Sequence, residues 1–147
     1  MDRSIGGPRG QLLVMASFAL LVCIGVAGML VDHAVTRARA GEAQEAALAV
    51  ASAGATELAT SADDLTIWRA VMQAAADRGI EIIRAEYTTA RGEHLGAVVG
   101  PADATVVPAR AAGIHVFATT RVAGILPIVG GPPSEMHLKA TALAVQP

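Results

Sequence analysis

The chain has 147 residues, one cysteine and a formal charge of −2, from 11 lysines and arginines against 13 carboxylates. That length leaves room for one small domain beside any membrane segment, and the lone Cys23 excludes both an intrachain disulfide and a cysteine-built metal site. From Asp32 onward nine basic residues meet twelve acidic ones, so this part carries about −3 and lacks the basic stripe that nucleic-acid binding needs.

The first eleven residues form a short leader carrying Arg3 and Arg9. Leu12 to Val31 then runs for twenty residues without a charge, with Ser17 as its only hydroxyl. At 1.5 Å per residue this spans about 30 Å, the thickness of a bilayer's hydrocarbon core, so a transmembrane helix is predicted over 12–31. The run exceeds the roughly 7–15 apolar residues of a secretory signal. Ala38-Arg39-Ala40 has the small-x-small form of a signal peptidase site, but lies beyond Asp32 and Arg37. Arg3 and Arg9 on one side nearly balance Arg37 and Arg39 on the other, leaving the amino terminus and the short leader to favour an N-inside orientation. Ala19, Cys23 and Ala27, at steps of four, make a small-residue stripe for helix packing. Asp32 marks the membrane boundary.

After Val31 the chain stays rich in alanine and free of proline as far as Ala62, which predicts one helix continuing to about Leu58, with the outer half spanning 32–60. Val35, Ala38, Glu42, Ala46, Ala49 and Ala53 lie along one side; Leu48, Ala51, Ala55, Leu58 and Ala59 lie along another. Either a sheet covers one face and a second molecule the other, or the helix is simply alanine-rich.

Ser61 to Asp64 supplies an N-cap and first-turn acids for a second helix over 64–78, with Leu65, Trp68, Val71, Met72 and Ala75 as its apolar face and Gly79 at its C-terminal stop. Trp68 reads as a core anchor. The pattern then changes to period two. Strands are predicted at about 81–90, with Ile83, Ala85 and Tyr87 inward, and at 94–99 after a turn at Arg91-Gly92-Glu93. Two more follow at 113–122 and 135–145. Thr105–Val107, between prolines, is at most a short edge strand. The fold class is therefore α+β: a long N-terminal helix, transmembrane and then extracytoplasmic, a second helix, and a small antiparallel sheet of three to five strands in a domain over 32–147. Between the last two strands Ile125, Leu126, Ile128 and Val129 form an apolar loop, which either meets a membrane or neighbouring subunit or folds under the sheet.

No catalytic, cofactor or metal site is expected. His33, His94, His115 and His137 are scattered; in a simple hairpin His137 would lie near Arg121 and His115 near Leu143, so they share no ligand site. None of the five serines sits in a nucleophile elbow. Gly130-Gly131 runs into two prolines, not into a helix start, so it does not cradle a phosphate. Glu42 and Glu45 lie within a turn or so of Arg37 and Arg39, where solvated ion pairs account for them.

Arg9-Gly10-Gln11, the apolar helix, Leu30-Val31-Asp32, a short basic stretch and Ala43-Gln44-Glu45-Ala46-Ala47-Leu48-Ala49 follow one another in an order that resembles the N-terminal region of the TadE/TadG-like proteins of tight-adherence (Flp) pilus systems. The resemblance covers about a third of the chain. It implies a pseudopilin-like subunit held in the bacterial inner membrane, N-terminus inside and domain outside. In members processed like pilins a prepilin peptidase cuts after the glycine, here between Gly10 and Gln11, and a glutamate stands five residues later. This chain has Met15 there, which brings it nearer the TadG-like branch, whose members often lack the glutamate and can remain as anchors. The expected function is thus a non-enzymatic component of such a pilus or a related secretion apparatus. Its partners would be membrane lipid and other pilus or secretion subunits, contacted through the N-terminal helix, with no cofactor. The alternative is a membrane-tethered module that binds a cell-envelope partner.

Overall fold

Alanine-rich sequence without an internal proline favours uninterrupted helix. In the computed structural model, which describes residues 8–61, 63–98, 106–122 and 134–145, one helix, α1, runs from Pro8–Thr60. Its 53 residues extend about 80 Å. The expected membrane segment and outer spine are therefore two halves of one element. Ser17 turns its hydroxyl back onto the Leu13 carbonyl (2.9 Å), and Thr36 does the same to Asp32 (2.9 Å), so neither breaks the helix.

The second helix, α2, spans Asp64–Ala76. Asp63 caps it in an extended conformation and accepts from the Thr66 amide at 3.2 Å. At the other end Gly79 takes φ +64°, and the Ile80 amide reaches back to the Ala75 carbonyl (3.1 Å), closing a Schellman motif with Ile80 buried beneath it. The buried face of α2 is Ile67, Val71, Ala74 and Ala75. It is rotated from the expected one: Trp68 is half-buried at the rim of the core and Met72 is exposed. α2 meets α1 on only one flank, so Ile67 takes the place sequence periodicity gave to Trp68.

Four strands follow: β1 (Glu81–Thr88), β2 (His94–Ala97), β3 (Gly113–Val122) and β4 (Ser134–Leu143). They form an antiparallel sheet in the order β2-β1-β3-β4. The β1–β2 turn comes at Arg91-Gly92-Glu93, with Gly92 at φ +82° and the Thr89 hydroxyl accepting from the Arg91 and Glu93 amides. Val106 and Val107 belong to no strand, so the weak edge strand expected there does not form on the described residues.

Alternation fails at one place. Ile82 faces Ala118 but Arg84 faces Phe117, so the bulge between them inserts an extra residue and turns Ile83 out, 56% exposed. Ala85 and Tyr87 keep their inward positions. The β3–β4 register places His115 opposite Thr141 and His137 opposite Thr119, two residues from the pairing that a simple hairpin predicts.

Both helices cover the inner face. Ala47, Val50, Ala51 and Ala55 of α1 pack with Ile67 and Val71 of α2 over Ala85, Tyr87, Ile114, Val116, Ala118, Leu138 and Ala140. The sheet and α2 share one side of α1, and Leu48, which the sequence groups with the buried Ala51 and Ala55, is 50% exposed. Gly54 makes the closest approach: a Cβ there would lie 2.6 Å from a Val71 methyl and 3.3 Å from Ile114. Gln44 binds α1 to β4, donating to the Lys139 carbonyl at 2.8 Å.

Candidate functional site

Two surfaces stand out. The first is the N-terminal half of α1. Its large apolar side chains between Leu12 and Val31 are 49–71% exposed, and a window of mean hydropathy 2.5 there buries nothing against the other described residues. The helix is long and apolar enough for a single membrane span. Ala19, Cys23 and Ala27 lie exposed along it. Gly10 and Gln11 occupy its first turns, and Asp32 is half-buried at the start of the outer half. The apolar loop at Ile125, Leu126, Ile128 and Val129 lies outside the described residues.

The second is the outer face of the sheet, away from both helices, where four strands bring together residues far apart in sequence. Glu86 of β1 receives His94 Nδ1 at 2.6 Å and Arg84 Nε at 3.2 Å. His94 stands edge-on to His115 of β3, ring centroids 5.4 Å apart, and His115 stands edge-on to Phe117 at 4.4 Å. The His115 Nδ1 contacts the Thr141 hydroxyl of β4. Phe117 lies under the Arg84 guanidinium, 4.1 Å from its ring centre, and the Lys139 ammonium lies 5.6 Å from that centre. Burial, with the positive charges of Lys139 and Arg84 and with His94 beside it, holds His115 below the ordinary imidazole value, against the opposing pull of Glu86.

His94 and His115 are thus neighbours, although their sequence positions have no ligand spacing. The pairing emerges only from strand order, which sets β1 between β2 and β3; alternation does place His115, Phe117 and Arg84 on the outward side. Among the described residues no group of three histidine, cysteine or carboxylate side chains is arranged to hold a metal ion. The chemistry of this surface is that of ion pairing and cation–π contact.

Beneath the sheet, the buried Tyr87 hydroxyl donates to Asp64 Oδ1. Burial first, then the Asp64 hydrogen bond and charge, push the phenol well above its usual range. The other Asp64 oxygen is buried without a hydrogen-bond partner among the described residues; its position in the first turn of α2 places it at the positive end of the helix dipole. An open groove of about 750 Å³ runs along α2 beside Trp68 and Met72.

No family model matches the chain, and neither the curated proteins nor the solved structures searched contain a match.

Proposed function

We propose that this chain is a non-enzymatic, single-pass, pseudopilin-like component of a tight-adherence (Flp) type IV pilus or a related secretion apparatus. It sits in the bacterial inner membrane with its N-terminus inside and its α+β domain outside. The observation that carries the reading is the division of α1. Leu12–Val31 presents apolar surface on every side and buries none of it against the other described residues, while the second half is the spine on which α2 and the sheet are built. Apolar surface that extensive, left in water, is an association site, and a bilayer or neighbouring helices would cover it. The order of Arg9-Gly10-Gln11, Leu30-Val31-Asp32 and the Gln44 to Ala49 run supplies the family part of the reading.

The N-terminus of the mature protein tests it, by intact mass of membrane and shed fractions. A start at Gln11 supports processing like a pilin despite Met15. An uncut chain supports a permanent anchor with an assembly role and removes the fibre subunit. Replacing Ala19, Cys23 and Ala27 by leucine is expected to weaken co-purification with the apparatus while leaving membrane insertion intact; unchanged co-purification removes helix packing from the account.

A second reading, a membrane-tethered module for a cell-envelope partner, is favoured by the outer sheet face, where exposed Arg84 and Lys139 flank Phe117. Co-purification of an envelope component without any secretion protein would favour it.

A further inference from the structure

The domain has two layers, and one stretch on each side carries charge of opposite sign. On the sheet side, Lys139 is exposed and Arg84 lies across Phe117, while Glu86 is already engaged by Arg84 and His94. On the helix side, the face of α1 opposite its buried stripe carries Ala38, Glu42, Glu45, Ala49, Ser52 and Thr56 at 100° per residue. Ser52 and Thr56 fold their hydroxyls back onto the helix carbonyls, so this face is low and small, and its charges are Glu42 and Glu45.

The two surfaces lie at the same level along α1. The Gln44 side chain bonds the Lys139 carbonyl, which fixes the row Arg84–Phe117–Lys139 within about one helical turn of Glu42 and Glu45. Two copies held in one membrane by the same helix stand at equal height, so the cationic row of one meets the glutamates of the next without either shifting in the bilayer. A paired arrangement through the open edge of β4 lacks this property, because antiparallel β4–β4 pairing would point the two anchor helices in opposite directions.

We propose that a second copy of this chain docks its exposed α1 face, through Glu42 and Glu45, on the outer sheet face around Arg84, Phe117 and Lys139, in a head-to-tail contact that repeats from copy to copy. The contact is heterologous, so each α1 lies between its own sheet and that of a neighbour. It rests on the membrane-anchored reading of α1.

The test uses the full chain in its native membrane with Cys23 replaced by serine. Lys139→Cys and Glu45→Cys are placed either together in one chain or separately in two co-expressed chains, and oxidative cross-linking is followed. The doubly substituted chain is expected to give a ladder and the co-expressed pair a dimer; each single variant alone gives neither. In a chain keeping both cysteines, Arg84→Glu is expected to lower cross-linking about tenfold, and adding Glu42→Arg to restore most of it. A chain retained in carbonate-washed membranes with no ladder overturns the docking and leaves the anchor standing. Efficient cross-linking of either single variant to itself also overturns it, since that requires a symmetric contact. Release of the chain by carbonate overturns the anchor reading and the docking together.

Discussion

Gly54→Ala is the most revealing single change in the core. The new Cβ would sit 2.6 Å from a Val71 methyl, roughly 1 Å inside carbon–carbon contact distance, and 3.3 Å from Ile114, with both neighbours fully buried. Val71 is β-branched on a helix and has essentially one χ1 well, so the methyl cannot turn aside and α1 must move off α2. Overpacking of this kind costs about 1–3 kcal/mol, while replacing a mid-helix glycine by alanine returns about 1 kcal/mol. The expected net loss is about 0–2 kcal/mol. The double variant is the sharper case. With Val71→Ala the obstructing methyl is gone, and Gly54→Ala should then stabilise by about 1 kcal/mol through helix propensity alone. Unfolding of the full chain in detergent micelles, followed by fluorescence of Trp68, the only tryptophan, measures all four corners of the cycle. An equal effect of Gly54→Ala in the parent and Val71→Ala backgrounds would refute the proposed close approach.

Three further outcomes follow from the ionisable groups. Tyr87→Phe removes the hydrogen bond that Tyr87 donates to the buried Asp64 carboxylate and should cost about 2–3 kcal/mol in the same unfolding assay. Because the folded phenol titrates above its ordinary value of 10.0, its contribution is complete below about pH 10 and lost as the pH rises further, so the parent's alkaline decline should flatten in Tyr87→Phe. His115 titrates below 6.5 in the folded chain; the stability contributed by its neutral ring is therefore present above that value and lost as pH falls through the folded one. NMR of the ring should show its midpoint rise in Lys139→Met and fall further in Glu86→Gln; shifts in the reverse sense would disprove the arrangement around Phe117. Asp63 is held below 3.8, first by the Thr66 hydroxyl and then by the α2 amides. Asp63→Ala should fray the start of α2, seen as faster amide exchange at Thr66, and in the parent this cap is present above about pH 3.8 and lost as pH falls through the lower folded value.

Features fixed by local chemistry were legible in the sequence. The Asp63 cap, the Gly79 stop and the Arg91-Gly92-Glu93 turn each depend on a few adjacent residues, and each forms where it was expected. The uninterrupted α1 followed from alanine and the absence of proline. Features fixed by tertiary contact were not. The rotation that buries Ile67 and leaves Trp68 at the rim depends on where α1 lies, and both residues fit a helical period. The bulge that expels Ile83 answers to β3, so β1 read alone shows only alternation. The chain of contacts from Thr141 through His115 and His94 to Glu86 needs three strand pairings at once, and the histidines looked scattered because no single segment contains them.

The central claim is that α1 crosses a membrane with its first half and carries the domain outside with its second. Cys23, midway along the apolar run, and an Asp77→Cys substitution at the exposed end of α2, made in a Cys23→Ser background, allow a direct measurement: labelling by a membrane-impermeant maleimide in intact cells. Asp77→Cys is expected to label in intact cells and Cys23 only after detergent. Labelling of Cys23 without detergent, or of Asp77→Cys only after lysis, would contradict the membrane-crossing claim.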